Sequence, residues 1–178
     1  MNRKKLVTEM GRISGDDFRS AEKLPLVVVL DNVRSQHNVG SVFRTSDAFR
    51  VQRIMLCGIT ATPPNAEIHK TALGAEDVVE WQYFASTDDA VALLREQGYR
   101  IYSIELCEGS IALQNFKTLP GEGYAVILGN EVKGVQQSVV DASDGAIEIP
   151  QFGTKHSLNV SVTAGMVIWE FAKKLGWV

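Results

Sequence analysis

Apolar residues come along this chain in dense blocks separated by polar, glycine-containing stretches. The run "LPLVVVLDNV" (24–33) is almost continuously apolar and β-branched, the pattern of a strand covered on both faces. In "NVGSVFRTSDAF" (38–49) the apolar residues Val39, Val42, Phe43 and Phe49 recur at helical spacing. "RIMLCGI" predicts a second buried strand. "TATPPNAEIHKTALGAEDVVEW" then predicts a proline-rich loop, a short helix and a third strand. "TDDAVALLREQGY" predicts a helix capped by Thr87 or Asp88 at its start and by Gly98 at its end. "RIYSIEL", "YAVILG" and "AIEIP" predict three more strands, with "VQQSVVDAS" a helix between the last two. A final helix is expected from about Leu158 to Leu175. Strands alternate with helices throughout, so the expected class is α/β, a mostly parallel six-stranded sheet flanked by helices.

Composition narrows this picture without redirecting it. The chain has 178 residues, enough for one domain with a full core, and no linker-like segment divides it. An apolar fraction of 45% and a charged fraction of 22% exclude a disordered or fibrous protein. No apolar run reaches the ~18–20 residues of a membrane span. The start "MNRKKLVTEMGRIS" is basic but lacks a signal-peptide core. Cys57 and Cys107 stand singly, without metal-ligand spacing, and read as reduced core thiols in a cytoplasmic protein. No metal site is expected.

The net charge of −3 argues against a strongly basic nucleic-acid binder, but the charge is unevenly spread. Residues 1–53 carry ten Lys and Arg against six Asp and Glu, a balance of +4; the remainder carries eight against fifteen, a balance of −7. An anion-facing surface can therefore be built from the first third. The expected organisation is a basic helical segment over 1–23 followed by a single domain over 24–178.

Ligands of parallel sheets bind beyond the carboxyl ends of the strands. Three polar, glycine-containing loops follow expected strands: "LDNVRSQHNVGSVFRTSD", "VILGNEVKG" and "IEIPQFGTKHSLNVS". Neither GxGxxG nor GxxxxGK[ST] occurs, so the fingerprints of a dinucleotide fold and a P-loop are both missing. Asn38, Gly40 and Arg44 sit at a helix start, where Asn38 either caps the helix or serves a site. Arg44 is either a solvated helix arginine or an anion contact on a face that Gly40 keeps open. Gly129 and Gly134 fit a tight turn, and Glu131 between them could hold a ligand hydroxyl or orient Arg44. Ser157 either caps the last helix or points with Asn159 into a site. His37 and His156 adjoin these loops, but lone loop histidines are more often solvated than catalytic.

Together the three loops resemble the three motifs of the SpoU/TrmH branch of the SPOUT RNA methyltransferases, in the right order and over roughly residues 25–175. The resemblance implies a C-terminal deep trefoil knot that binds S-adenosyl-L-methionine, a homodimer formed through the first motif and the last helix, and methyl transfer to a ribose 2′-hydroxyl of tRNA or rRNA. It implies a catalytic set of Arg44, Asn38, Glu131, Ser157 and Asn159. It implies cofactor contacts, largely through backbone, at Glu105, Leu128, Gly129, Asn130, Gly134, Ile149, Leu158 and Asn159. Arg44 would act either as base or as electrostatic stabiliser of the developing alkoxide. The chain carries no large N-terminal RNA-binding domain, so substrate choice would rest on the catalytic surface and the short basic segment. A non-catalytic module of the same fold that binds the cofactor and RNA is the alternative.

Overall fold

The computed structural model describes residues 2–178. Seven strands form one sheet: β1 (Leu24–Asp31), β2 (Val51–Cys57), β3 (Trp81–Phe84), β4 (Arg100–Ile104), β5 (Ile111–Ala112), β6 (Tyr124–Leu128) and β7 (Gly145–Glu148). Their order is β3-β2-β1-β6-β4-β7-β5, and every pairing is parallel. The helices are α1 (Gly15–Ser20), α2 (Gln36–Ala48), α3 (Ala66–Ala72), α4 (Thr87–Glu96), α5 (Gln137–Ala142) and α6 (Val160–Lys174). The sheet thus has one strand more than the sequence predicts. Two-residue β5 carries no pattern that could announce it; it exists because Ile111 and Ala112 pair with the edge of β7.

Successive residues of β1 point to opposite faces, and both faces are covered. Leu24, Leu26, Val28 and Leu30 pack with Phe18 of α1, Val39, Val42 and Phe43 of α2, Ile68 of α3, and Val167, Ile168 and Phe171 of α6. Val27 and Val29 face the other way, onto Ala90, Val91 and Leu94 of α4 and Val139 of α5. Phe171 anchors α6 among aromatic rings, 5.3 Å from Phe116 and 5.5 Å from Tyr124 between centroids. Cys57 is buried here, and that burial pushes its thiol up to about 12, leaving it protonated and inert.

Several local expectations are corrected, each for a traceable reason. The third strand begins only at Trp81; before it, Ala75–Asp77 form a 3-10 turn, and buried Val79 fills the core from that turn. Helix α4 is capped by Ser86, whose hydroxyl accepts from the Asp89 amide, while Thr87 is wholly buried and serves another residue. The C-cap of α4 is Gln97, and Gly98 follows it with φ +79°, the left-handed position that glycine takes most cheaply. Helix α2 starts two residues early and is capped by Ser35, so Asn38 lies inside its first turn. Helix α6 is capped by Asn159, which accepts from the amides of Ser161 and Val162; Ser157 caps nothing. Among the described residues, no helix is long and apolar enough to cross a membrane.

Candidate active site

The carboxyl end of β1 sets up the site. Asp31 closes the apolar strand and is fully buried, which demands hydrogen-bond partners. Its Oδ1 accepts from Thr87 Oγ1 at 2.6 Å, Asn32 Nδ2 at 2.8 Å and Gln136 Nε2 at 2.8 Å, and its Oδ2 accepts from the Gln136 amide at 2.9 Å. One buried carboxylate thereby ties β1 to α4 and to the chain that follows β6. The sequence reading missed it, although a lone Asp ending "LPLVVVLD" was the available signal. Beside it Asn130 donates from its side chain to the Asn32 carbonyl at 2.7 Å and accepts from the amides of Val132 and Lys133.

Residues 129–135 make a tight loop closed by paired backbone bonds between Asn130 and Gly134. Gly134 has φ +69°, and a Cβ there would also lie 2.2 Å from a Glu105 oxygen. A Cβ on Gly129 would lie 2.1 Å from the backbone of Gly134, so the loop closes onto bare backbone. Glu105 grips the loop from just beyond β4, accepting from the Val135 amide at 3.0 Å and from the amide of its neighbour Leu106 at 3.0 Å.

Glu131 reaches from this loop to the start of α2. It accepts from the amides of Arg34 and Ser35, both at 2.9 Å, and from Asn38 Nδ2 at 3.1 Å. Asn38 in turn accepts from Asn159 Nδ2 at 3.2 Å. The chain Glu131–Asn38–Asn159 therefore joins the three polar loops at one corner. Burial works to raise the Glu131 carboxyl, but hydrogen bonds from the Arg34, Ser35 and Glu131 amides and from Asn38 together outweigh it and hold the group below its ordinary value. Glu131 does not orient Arg44.

A cavity of about 830 Å³ opens beyond the carboxyl ends of β4, β6 and β7. Glu105, Leu128, Gly129, Asn130, Gly134, Ile149 and Leu158 all line it, as do Glu131 and Ser157. Asn38, Arg44 and Asn159 do not. Apolar walls from Leu106, Leu128, Val132, Ile147, Ile149 and Leu158 alternate with polar residues, the make-up of a small-molecule site. Arg44 is exposed on α2 and, among the described residues, pairs with no carboxylate. Gly40 does not open a face for it: a Cβ there would lie 2.2 Å from the Ile68 carbonyl and from Thr71 Oγ1, so the glycine admits α3. His37 pairs with Glu67 at 2.9 Å and His69 with Glu76 at 2.6 Å, and both lie outside the cavity. His156 lines it. No group of three or more His, Cys, Asp or Glu able to hold a metal occurs among the described residues.

An all-parallel sheet with a ligand-sized cavity at its carboxyl edge defines an α/β small-molecule-binding domain. The chain belongs to the SpoU rRNA Methylase family, whose sequence profile matches residues 25–169. A tRNA (guanosine(18)-2′-O)-methyltransferase from Thermus thermophilus is 32% identical over 164 residues, covering 92% of this chain and 82% of the relative. A 23S rRNA (guanosine-2′-O-)-methyltransferase from Neisseria meningitidis is 32% identical over 155 residues, covering 87% of this chain and 61% of the relative. Among solved structures, an AdoMet-bound rRNA methyltransferase from Sinorhizobium meliloti superposes with a TM-score of 0.78 at 25% identity, over 86% of this chain and 61% of that one. The chain thus spans only part of the length of these proteins.

Proposed function

We propose that the protein is an S-adenosyl-L-methionine-dependent RNA methyltransferase that modifies a ribose 2′-hydroxyl of tRNA or rRNA. The observation that carries this reading is the Glu131–Asn38–Asn159 chain, which locks three family motifs around a cavity of suitable size. The residues present fit the cofactor: glycines 129 and 134 let the loop close against its own backbone and Glu105 at the cavity edge, and the lining offers apolar walls beside polar residues. Glu105, Leu128, Gly129, Asn130, Gly134, Ile149 and Leu158 would hold it. S-Adenosyl-L-methionine supplies a methyl group on a sulfonium, which leaves as a neutral thioether after transfer.

The chain's own residues supply position and charge. A ribose hydroxyl is a weak nucleophile, so alignment and stabilisation of its developing negative charge dominate. The Arg44 guanidinium stabilises that alkoxide, while the hydroxyl proton passes to water. Ser157, on the cavity wall with an uncommitted hydroxyl, hydrogen-bonds the ribose or its phosphate. Asn38, Glu131 and Asn159 act as positioning residues that hold the loops in register.

The same reading includes a homodimer. Val162, Met166 and Trp169 share one exposed face of α6, and Phe49 meets Trp169 edge-on at 5.8 Å. An apolar stripe of that kind is costly in water and suits a second copy. A mass of one chain by light scattering at micromolar concentration would contradict the dimer. A trefoil knot over the C-terminal part is supported by the strand order, in which β6 lies between β1 and β4, and by the return of α6 from β7, near the far end of the sheet, to α2. An RNA substrate favours the cytoplasm.

The experiment is incubation with methyl-labelled cofactor and, separately, bulk tRNA and rRNA lacking the modification. Label in one RNA fraction is expected; tight cofactor binding with no transfer to either would favour the non-catalytic module.

A further inference from the structure

Phe152 is 97% exposed, as open to water as in an unfolded chain. It lies between Gln151 and Lys155, both of which line the cavity, yet its own ring is not part of the wall. A large aromatic ring held at a cavity mouth, and packed against neither the core nor the cavity, is available to something arriving from outside.

The charges around it identify what arrives. The cavity-lining carboxylates are already engaged. Glu105 serves Leu106 and Val135, Glu131 serves Arg34, Ser35 and Asn38, and Glu148 accepts from Ser110 Oγ at 2.7 Å. The lining cations are free: among the described residues neither Lys133 nor Lys155 has a carboxylate within 4.0 Å. An exposed aromatic three residues from one uncommitted lysine, with a second lining the same cavity, offers a stacking face and phosphate contacts together, the combination that single-stranded RNA takes. A protein partner would instead favour a continuous apolar surface, and here the intervening residues Gly153 and Thr154 add none.

We infer that Phe152 is an RNA contact, on which an unpaired base next to the methylated nucleotide stacks, with Lys133 and Lys155 holding the adjoining phosphates. The inference rests on the proposed RNA methyltransferase activity and adds to it how the substrate is gripped. It makes the loop after β7 a reader of single-stranded or splayed RNA, so a target inside an intact duplex is disfavoured.

The test uses the full chain and whichever of bulk tRNA or rRNA accepts label, with F152A, F152L, F152Y and a K133A/K155A double variant. F152A and F152L are expected to weaken RNA binding on the order of tenfold, since stacking on an aromatic is lost in both. F152Y keeps wild-type affinity. The three Phe152 variants retain wild-type cofactor affinity and solution mass. The double variant lowers the dependence of log affinity on log salt by about two, one for each phosphate contact. Unchanged RNA affinity in F152A would overturn the inference. So would full retention by F152L, which would make the contact merely apolar, or a changed mass in F152A, which would make Phe152 a contact between copies. Wild-type protein that labels neither RNA would bring down the underlying activity, and this inference with it.

Discussion

The corner where Glu131, Asn38 and Asn159 meet and the loop over residues 151–158 border the same cavity, yet they are built in opposite ways. In the corner, polar side chains are committed to the chain itself: Glu131 satisfies three donors, and Asn38 and Asn159 complete the link. Along the loop every residue is exposed, and no side chain from Gln151 to Leu158 hydrogen-bonds to another described residue. Arg44 belongs with the loop in this respect, exposed and unpaired although it lies on the well-packed helix α2. The difference separates two tasks. On the proposed function, committed groups fix the geometry of the cofactor side, whereas free groups face what is not part of the chain.

The sharpest way to break this division is R44A. Removing a side chain that touches no partner should leave thermal stability within about 0.5 kcal/mol and cofactor affinity unchanged. Single-turnover methyl transfer should fall by at least ~100-fold, as when a group stabilising developing charge is lost. A parallel loss of cofactor binding, by calorimetry, would move Arg44 to the committed side.

E131A should do the reverse. It removes the shared partner of two amides and the Asn38 side chain at the partly exposed start of α2, each hydrogen bond contributing about 0.5–1.5 kcal/mol net. Cofactor affinity is expected to drop on the order of tenfold or more, with unfolding at a lower denaturant midpoint, because the loop over 129–135 loses its tie to α2. E131Q should recover part of this, keeping the shape but not the charge.

Acid gives a gentler handle on the same tie. A carboxyl whose folded value lies below its unfolded one, ordinarily ~4.3, contributes fully above the unfolded value and loses that contribution as pH falls through the folded one. Glu131 is such a group. The stability gap between wild type and E131Q should therefore be constant from pH 7 to about 5 and close below pH ~4. A gap that persisted into strong acid would mean the charge on Glu131 is not what holds the loop.

The smallest effect is expected from trimming residues 1–13, which removes Arg3, Lys4, Lys5 and Arg12 but keeps Phe18, buried in the core. RNA affinity should fall severalfold at low salt and the difference should fade as salt rises, with cofactor affinity unchanged. Identical salt dependence before and after trimming would leave the segment a structural arm.

Much of this was legible in the chain because burial on both faces leaves an uninterrupted apolar run. All but one of the strands of four or more residues announced themselves that way, from "LPLVVVLD" to "AIEIP", whereas the half-exposed third, "WQYF", did not and was placed too early. What escaped depended on contacts distant in sequence. Two-residue β5 is defined by its neighbour alone, and the α4 cap was expected at Thr87 or Asp88 instead of Ser86 because only the fold brings Asp31 beside Thr87. Gly40 looked like an opening because sequence cannot show that α3 occupies the space. The site was legible as three loops, and the motif resemblance picked out their residues. That Glu131 answers to α2 backbone amides across more than ninety positions was not legible at all. Nor does periodicity distinguish Asn38 and Asn159, which link loops, from Ser157, which stands free on the wall.

The chemical identity of the product tests the central claim most directly. RNA labelled from the cofactor by this protein should be hydrolysed to completion with alkali and the label followed. Alkaline cleavage requires a free 2′-hydroxyl, so a ribose methyl group leaves its nucleotide joined to the next one. The account predicts that the label appears in an uncut dinucleotide. Label in a single methylated-base nucleotide would contradict it.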